Sequence, residues 1–157
     1  MKRIQYCLLI FGLLFGCQQN HPENRNREAS LPASFEFSKL GLKTIGSIIN
    51  PELGTTSTLY GNDNALEELK GLNSNHMVEK TLVLVTWKQQ DDPRWFGAKI
   101  PSDLKLVEVL KTKSSFKDYE NVDYRIYEGR TLGNRKDNLK NEDRIKFITS
   151  IQPAVMP

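Results

Sequence analysis

Few side chains in this 157-residue chain have the types and spacing for chemistry. The densest group is Asp91-Asp92-Pro93-Arg94-Trp95-Phe96-Gly97, where two carboxylates, a guanidinium and two aromatics fall on one short segment. Paired carboxylates can perform acid/base work or hold a hard cation, and Trp95 and Phe96 could wall a ligand pocket. The plainer expectation is a Pro-set turn with solvated acids and with aromatics that close one end of a sheet. On that expectation, truncating a buried Trp95 to alanine costs ~3–5 kcal/mol. His76 is the one imidazole outside the N-terminal region, and it sits in Asn73-Ser74-Asn75-His76-Met77. A haem or metal ligand needs its second ring nitrogen held by a partner, whereas these neighbours predict a wet loop, with Met77 a packing residue rather than an axial ligand. Ser57, Thr58 and Tyr60 could hydrogen-bond a ligand. No nucleophile–histidine–acid arrangement can be built around them, because His76 is the sole base on offer. His76, Trp95 and Phe96 therefore stand as cofactor-binding candidates, and no catalytic residue and no metal site is assigned.

The two cysteines are Cys7 and Cys17. Cys7 lies in the apolar run Tyr6 to Phe15, behind the positive pair Lys2 and Arg3. A run of roughly ten to twelve apolar residues suits the hydrophobic region of a signal peptide and falls short of the ~20 that span a bilayer as a helix. Leu14-Phe15-Gly16-Cys17 resembles the bacterial lipobox. That resemblance implies a lipoprotein signal peptide over 1–16, and a mature chain that starts at Cys17 with acyl chains on its thiol. Ordinary secretory cleavage wants small residues at the third and first positions before the cut, and no such pair follows the run closely. With Cys7 removed and Cys17 lipidated, the remaining chain has no thiol for a disulfide, a nucleophile, a cysteine zinc site or a Cys-x-x-Cys-His haem attachment.

The formal charge of +3 comes from 22 basic and 19 acidic residues, and losing Lys2 and Arg3 leaves 20 against 19, a formal +1. Basic and acidic residues are interleaved, as in Lys136-Asp137-Asn138-Leu139-Lys140-Asn141-Glu142-Asp143-Arg144. Nucleic-acid binding needs basic residues gathered on one face, so a nucleic-acid partner is not expected. From Gln18 to about Ser34 the chain is polar and holds Pro22 and Pro32, which predicts a flexible tether over 17–34 with too little apolar surface to offset its ordering entropy. Residues 35–157 have the size of one domain.

The elements that must position these residues are legible from periodicity. Thr81-Leu82-Val83-Leu84-Val85-Thr86-Trp87 is apolar in both alternating sets and predicts a central strand buried on both faces. Leu104 to Thr112 and Val122 to Glu128 predict further strands, the second with Tyr127 breaking strict alternation. Lys43 to Asn50 and Thr55 to Tyr60 are β-prone and flank the turn signal Asn50-Pro51-Glu52-Leu53-Gly54. A first helix is expected after Asn62-Asp63-Asn64, with Asn64 and Glu67 in capping-box register, Leu66 and Leu69 inward, and Gly71 as the stop. A second runs from about Asn141 to Ile151, with Ile145, Ile148 and Ile151 on one stripe, Glu142 and Asp143 in its first turn and Pro153 beyond its end. The pattern predicts an α+β domain, an antiparallel sheet with two short helices on one face.

Ser57-Thr58-Leu59-Tyr60-Gly61-Asn62-Asp63-Asn64-Ala65-Leu66 followed by Leu82-Val83-Leu84-Val85-Thr86-Trp87 resembles the cytochrome P460 family. The chain looks closest to a subgroup carrying the block from Val85 to Pro101, then Val107-Glu108-Val109, Tyr127-Glu128-Gly129 and Val155-Met156-Pro157. The resemblance covers roughly Leu42 to Pro157 and implies a P460-like fold. It also implies haem c attached through Cys-x-x-Cys-His and cross-linked to a strand lysine, for hydroxylamine oxidation or gas binding. Neither feature is matched, since the domain has no cysteine and the corresponding strand reads Leu82-Val83-Leu84-Val85-Thr86. Covalent haem c is thereby excluded and no cofactor is expected.

The sequence thus leads to a lipid-anchored cell-envelope protein whose P460-like domain is a binding or interaction module. The alternatives are an envelope redox enzyme or gas sensor with non-covalent haem, and a structural envelope lipoprotein. The membrane is its expected partner through the N-terminal lipid; a small-molecule ligand or envelope protein partner is not specified by any motif. The absence of acidic residues directly after Cys17 favours the periplasmic face of the outer membrane. Cys17→Ala is expected to abolish membrane retention, because it removes the only lipid-accepting thiol, and lipidation by two or more chains gives stable anchoring where one chain is marginal. Labelled palmitate still entering the variant, with the protein still in the membrane fraction, would show the lipobox reading to be wrong.

Overall fold

A computed structural model describes residues 26–32, 35, 37–72, 77–135 and 142–154. Six strands follow one another across a single sheet in chain order: β1 (Lys43–Asn50), β2 (Thr55–Gly61), β3 (Lys80–Asp91), β4 (Lys99–Thr112), β5 (Asp123–Glu128) and the short β6 (Gly133–Arg135). Every neighbouring pair is antiparallel. Among the described residues two helices, α1 (Asp63–Leu69) and α2 (Glu142–Thr149), complete an α+β fold of the expected class. Turns of 3-10 helix occupy Phe37–Leu40 and Tyr119–Asn121. The expected strands are all present, but β3 and β4 run well beyond their apolar segments, to Asp91 and back to Lys99.

Strand β3 has the two-faced burial that its composition predicts. On one face Leu82 and Leu84 join Ile45, Leu59, Ala65, Leu110, Phe116, Ile145 and Ile148 in a core under both helices. On the other face Val83, Val85 and Trp87 join Leu104, Val107 and Val109. Tyr127 packs against this second cluster, so its break in the β5 alternation reflects a strand with apolar contacts on both sides.

The second face is covered in part by residues of the segment expected to be tether and by Phe35, the first residue of the expected domain. Ala29, Leu31 and Phe35 pack on it, and the Trp87 Nε1–H donates to the Ala29 carbonyl at 2.8 Å. Asn26 donates its side-chain amide to the Pro101 carbonyl at 2.6 Å, and Arg130 reaches the Arg27 carbonyl at 3.2 Å. The segment from Asn26 to Pro32 is therefore part of the folded domain. Its apolar content is small, but the exposed flank of β3 and β4 supplies the other half of the contact.

Helix α1 is capped by Asn62, not by Asn64. Asn62 has extended backbone angles, and its side-chain oxygen accepts from Ala65 N–H at 3.0 Å and from Thr81 N–H at 3.2 Å. Standing at the end of β2, it serves the helix and β3 at once, while Asn64 instead bonds the Glu79 carbonyl. The stop is the one expected: Gly71 has φ +69°, and N–H groups of Gly71 and Leu72 return to the carbonyls of Glu68 and Glu67, the paired bonds that end a helix on a left-handed residue.

Helix α2 docks through Ile145 and Ile148, with Ile151 packed just beyond its end. It is fixed by a charge the apolar pattern does not reveal. Glu108, on the helix-facing side of β4, is 1% exposed. Its carboxylate accepts a two-pronged bond from Arg144 at 2.7 and 2.6 Å and a third from the Tyr124 hydroxyl at 2.5 Å. Burial, and then the bond to Glu108, push the Tyr124 phenol well above its usual pKa and keep it a donor. The hydrogen bonds to Glu108 hold Arg144 more firmly charged, against its partial burial.

The two ends of this pair are not equivalent. The Arg144 side chain is 40% exposed and can return to water if its partner is lost, whereas Glu108 has no such route. Arg144→Met should therefore destabilise by ~3 kcal/mol, through an uncompensated buried charge. Glu108→Leu should cost only ~1 kcal/mol, chiefly from the orphaned Tyr124 hydroxyl. Urea unfolding of the two variants checks the order, and equal or reversed costs would refute this account of the pair.

Candidate functional site

The Asp91–Gly97 segment, singled out by its composition, is the tip of a hairpin that projects from one end of the sheet. Strand β2 stops opposite Lys88 and β5 stops opposite Leu106. Beyond them only β3 and β4 continue, pairing Gln89 with Pro101, Gln90 with Ile100 and Asp91 with Lys99. Pro101 fits here because no third strand asks for its missing N–H. The base of this ribbon is braced by the Gln89 N–H, which donates to Gly54 in the β1–β2 turn at 2.8 Å.

The tip is ordered by its own hydrogen bonds. Asp92 accepts from the Arg94 N–H at 2.7 Å, the Asp92 N–H reaches the Ala98 carbonyl and the Ala98 N–H the Trp95 carbonyl. Gly97 supplies the left-handed residue that reverses the chain, at φ +78°. Asp91 is neutralised by Lys99 at 2.5 Å. The two carboxylates are thus engaged separately, one in an ion pair and one in a turn, and do not converge as an acid/base pair.

The aromatics do not close the sheet end. Trp95 is 70% exposed and Phe96 is fully exposed, which overturns the packed corner expected from the sequence. The reason is strand length: the ribbon carries the tip past the last residues of β2 and β5, so among the described residues no neighbouring strand is there to receive the rings. Ile49 and Leu53, on and beside the β1–β2 turn, are exposed at this same end.

The remaining sequence candidates separate spatially. His76 and Cys17 lie outside the described residues. Met77, expected to pack, is exposed and borders an open depression of about 360 Å³ with Thr112, Lys113, Ser114 and Asn121. This depression is at the opposite end of the sheet from the hairpin tip. Ser57 bonds Thr86 across β2 and β3 at 2.8 Å, and Thr58 meets Ser47 at 3.2 Å, so these hydroxyls are spent within the sheet. Burial raises the Tyr60 phenol above its usual pKa, partly offset by Thr58. Among the described residues no three His, Cys, Asp or Glu side chains gather as a metal-holding group, and no helix is long and apolar enough to cross a membrane.

Two polar clusters were not singled out by the sequence reading. One is Glu108 with Arg144 and Tyr124. Its signal was present, since an acid in the middle of Leu106-Val107-Glu108-Val109-Leu110 must find a partner if the strand is buried on both faces. The other joins α1, β3 and the loop after β4. Lys80, almost fully buried, pairs with Glu68 at 2.7 Å and donates to the Ser114 carbonyl at 2.8 Å. Glu68 also accepts from the Ser115 hydroxyl and the Phe116 N–H. Burial opposes the charge on Glu68, but the bonds from Lys80, Ser115 and Phe116 prevail and hold its carboxyl below the ordinary value. Both clusters lie in the interior and join elements, so they read as structural.

No protein-family model and no curated protein matches the chain. The class that the geometry itself defines is an α+β domain built on an antiparallel meander, with a projecting, aromatic-tipped hairpin.

A side chain that is mostly exposed contributes little to folding. Trp95→Ala is therefore expected to change stability by less than ~0.5 kcal/mol, as read by thermal or urea unfolding. A loss of the size first expected for a buried indole would mean that the tip packs on the domain.

Proposed function

We propose that the chain is a lipid-anchored protein of the bacterial cell envelope, at the periplasmic face of the outer membrane. Its P460-like domain works without covalent haem as a binding or interaction module. The observation that carries this reading is the hairpin tip, where two adjacent aromatic rings stand uncovered on a backbone fixed by its own hydrogen bonds. Aromatic residues are the side chains most enriched where proteins meet partners, because a rigid ring buries much area at small entropic cost. The lipobox-like Leu14-Phe15-Gly16-Cys17 supports the anchor, and the lack of any cysteine after Cys17 supports a domain free of thioether-bound haem.

The spectrum of the purified protein tests the haem-free part of this reading. Produced with haem maturation available, the full chain is expected to show no Soret band that survives gel filtration. A strong band that persists and disappears in His76→Ala would replace this reading with that of a haem sensor.

A further inference from the structure

We propose that the aromatic tip of the β3–β4 hairpin inserts into the interface of the same lipid surface that holds the acyl chains of Cys17, setting the domain end-on against the membrane. This deepens the reading above and rests on its lipid anchor.

The first observation is where the described chain begins. Asn26 is bound to the Pro101 carbonyl on the flank of the hairpin itself, and Pro101 is two residues, ~7 Å of strand, from the Lys99 end of β4. Only eight residues lie between Cys17 and Asn26, a reach of at most ~32 Å over nine fully extended steps. The chain that follows Cys17 therefore joins the described domain on the hairpin side, at Asn26. The depression beside Met77 belongs to the far end of the sheet.

The second observation is the chemistry of the tip. Trp95 is mostly exposed and Phe96 fully so, and an indole combines an apolar body with one N–H donor, the pairing that favours the boundary between headgroups and acyl chains. Arg94 beside them is exposed and can lay its stem along that boundary while its guanidinium stays among headgroup phosphates. The charged side chains of the tip, Asp91, Asp92, Arg94 and Lys99, sum to zero, and Asp91 is paired with Lys99, so the tip as a whole does not repel an anionic surface. The Asp92, Arg94 and Ala98 N–H groups are already bonded within the tip, which lowers the cost of moving it out of bulk water.

The third consideration is concentration. Two rings give a weak interaction by themselves, but a short tether makes the encounter intramolecular and raises the effective local concentration of lipid. Ile49 and Leu53, exposed at the same end, lie on the side that would then face the bilayer.

The two tryptophans make this testable. Trp87 is buried in the second core and Trp95 stands at the tip, so the fluorescence difference between the parent and Trp95→Phe isolates the tip. The full chain is purified from membranes, its Cys17 acylation is read by mass, and it is reconstituted into phosphatidylethanolamine–phosphatidylglycerol vesicles with or without brominated acyl chains. With Cys17 acylated, the expected result is a blue-shifted Trp95 component that brominated chains quench and aqueous iodide does not. The Trp95→Ser/Phe96→Ser variant should keep the parent's circular dichroism and melting temperature and remain in the membrane fraction. An acylated protein whose Trp95 stays open to iodide and untouched by bromine overturns the insertion while leaving the anchor intact. Trp95 protected only after envelope proteins are added points to a protein partner and also overturns it. A Cys17 without acyl chains overturns the anchor reading, and the docking geometry with it.

Discussion

The architecture depends on one strand that is apolar on both faces. Residues Leu82 to Trp87 of β3 cannot be left against water on either side, so each face of the sheet needs its own cover. On one side the cover is α1 and α2, which bring Ala65, Ile145 and Ile148 over Leu82 and Leu84. On the other it is the segment around Ala29 and Leu31, closed by the Trp87 bond to the Ala29 carbonyl. The meander supplies the rest, because strands that neighbour one another in sequence also neighbour one another in the sheet, the longest connection between them, residues 62–79, being the one that carries α1.

Charge enters this core only where it joins elements. Glu108 ties α2 to β4 and β5 through Arg144 and Tyr124, and Lys80 with Glu68 ties α1 to β3 and the loop after β4. In each case the buried partner is surrounded by enough donors or acceptors to offset the loss of water. Such pairs add little net energy over an apolar packing; what they do here is join each short helix to the sheet at one named point, Arg144 to Glu108 and Glu68 to Lys80.

The hairpin follows from the same sheet by excess. Strands β3 and β4 are longer than their neighbours, and the surplus leaves the sheet as a two-stranded ribbon whose tip no other element can reach. Its end residues are therefore free for an external contact, while the ribbon behind them is held by Gly54 on one side and Asn26 on the other. The domain so divides into a buried, charge-locked half under the helices and an aromatic end that lies nearest to the start of the described chain.

The sequence by itself determined the local and periodic features. The strands, the two-sided burial of Leu82 to Trp87, the isoleucine stripe of α2 and the Gly71 stop are written in short-range patterns of apolarity and backbone freedom, and the structure has them. What only the tertiary structure decided are the relations between distant segments. Asn62 displaced Asn64 as the cap because β3 also offered it a donor, Thr81, seen only once the strand lay alongside. Residues 26–32 joined the domain because a sheet face stood open to receive them, though their own composition reads as tether. Glu108 found Arg144 thirty-six residues away, and nothing in the spacing of the two announces the pair. Trp95 and Phe96 came out exposed where an apolar pair is ordinarily buried, because burial depends on what stands opposite a side chain, and that is set by how far the neighbouring strands extend.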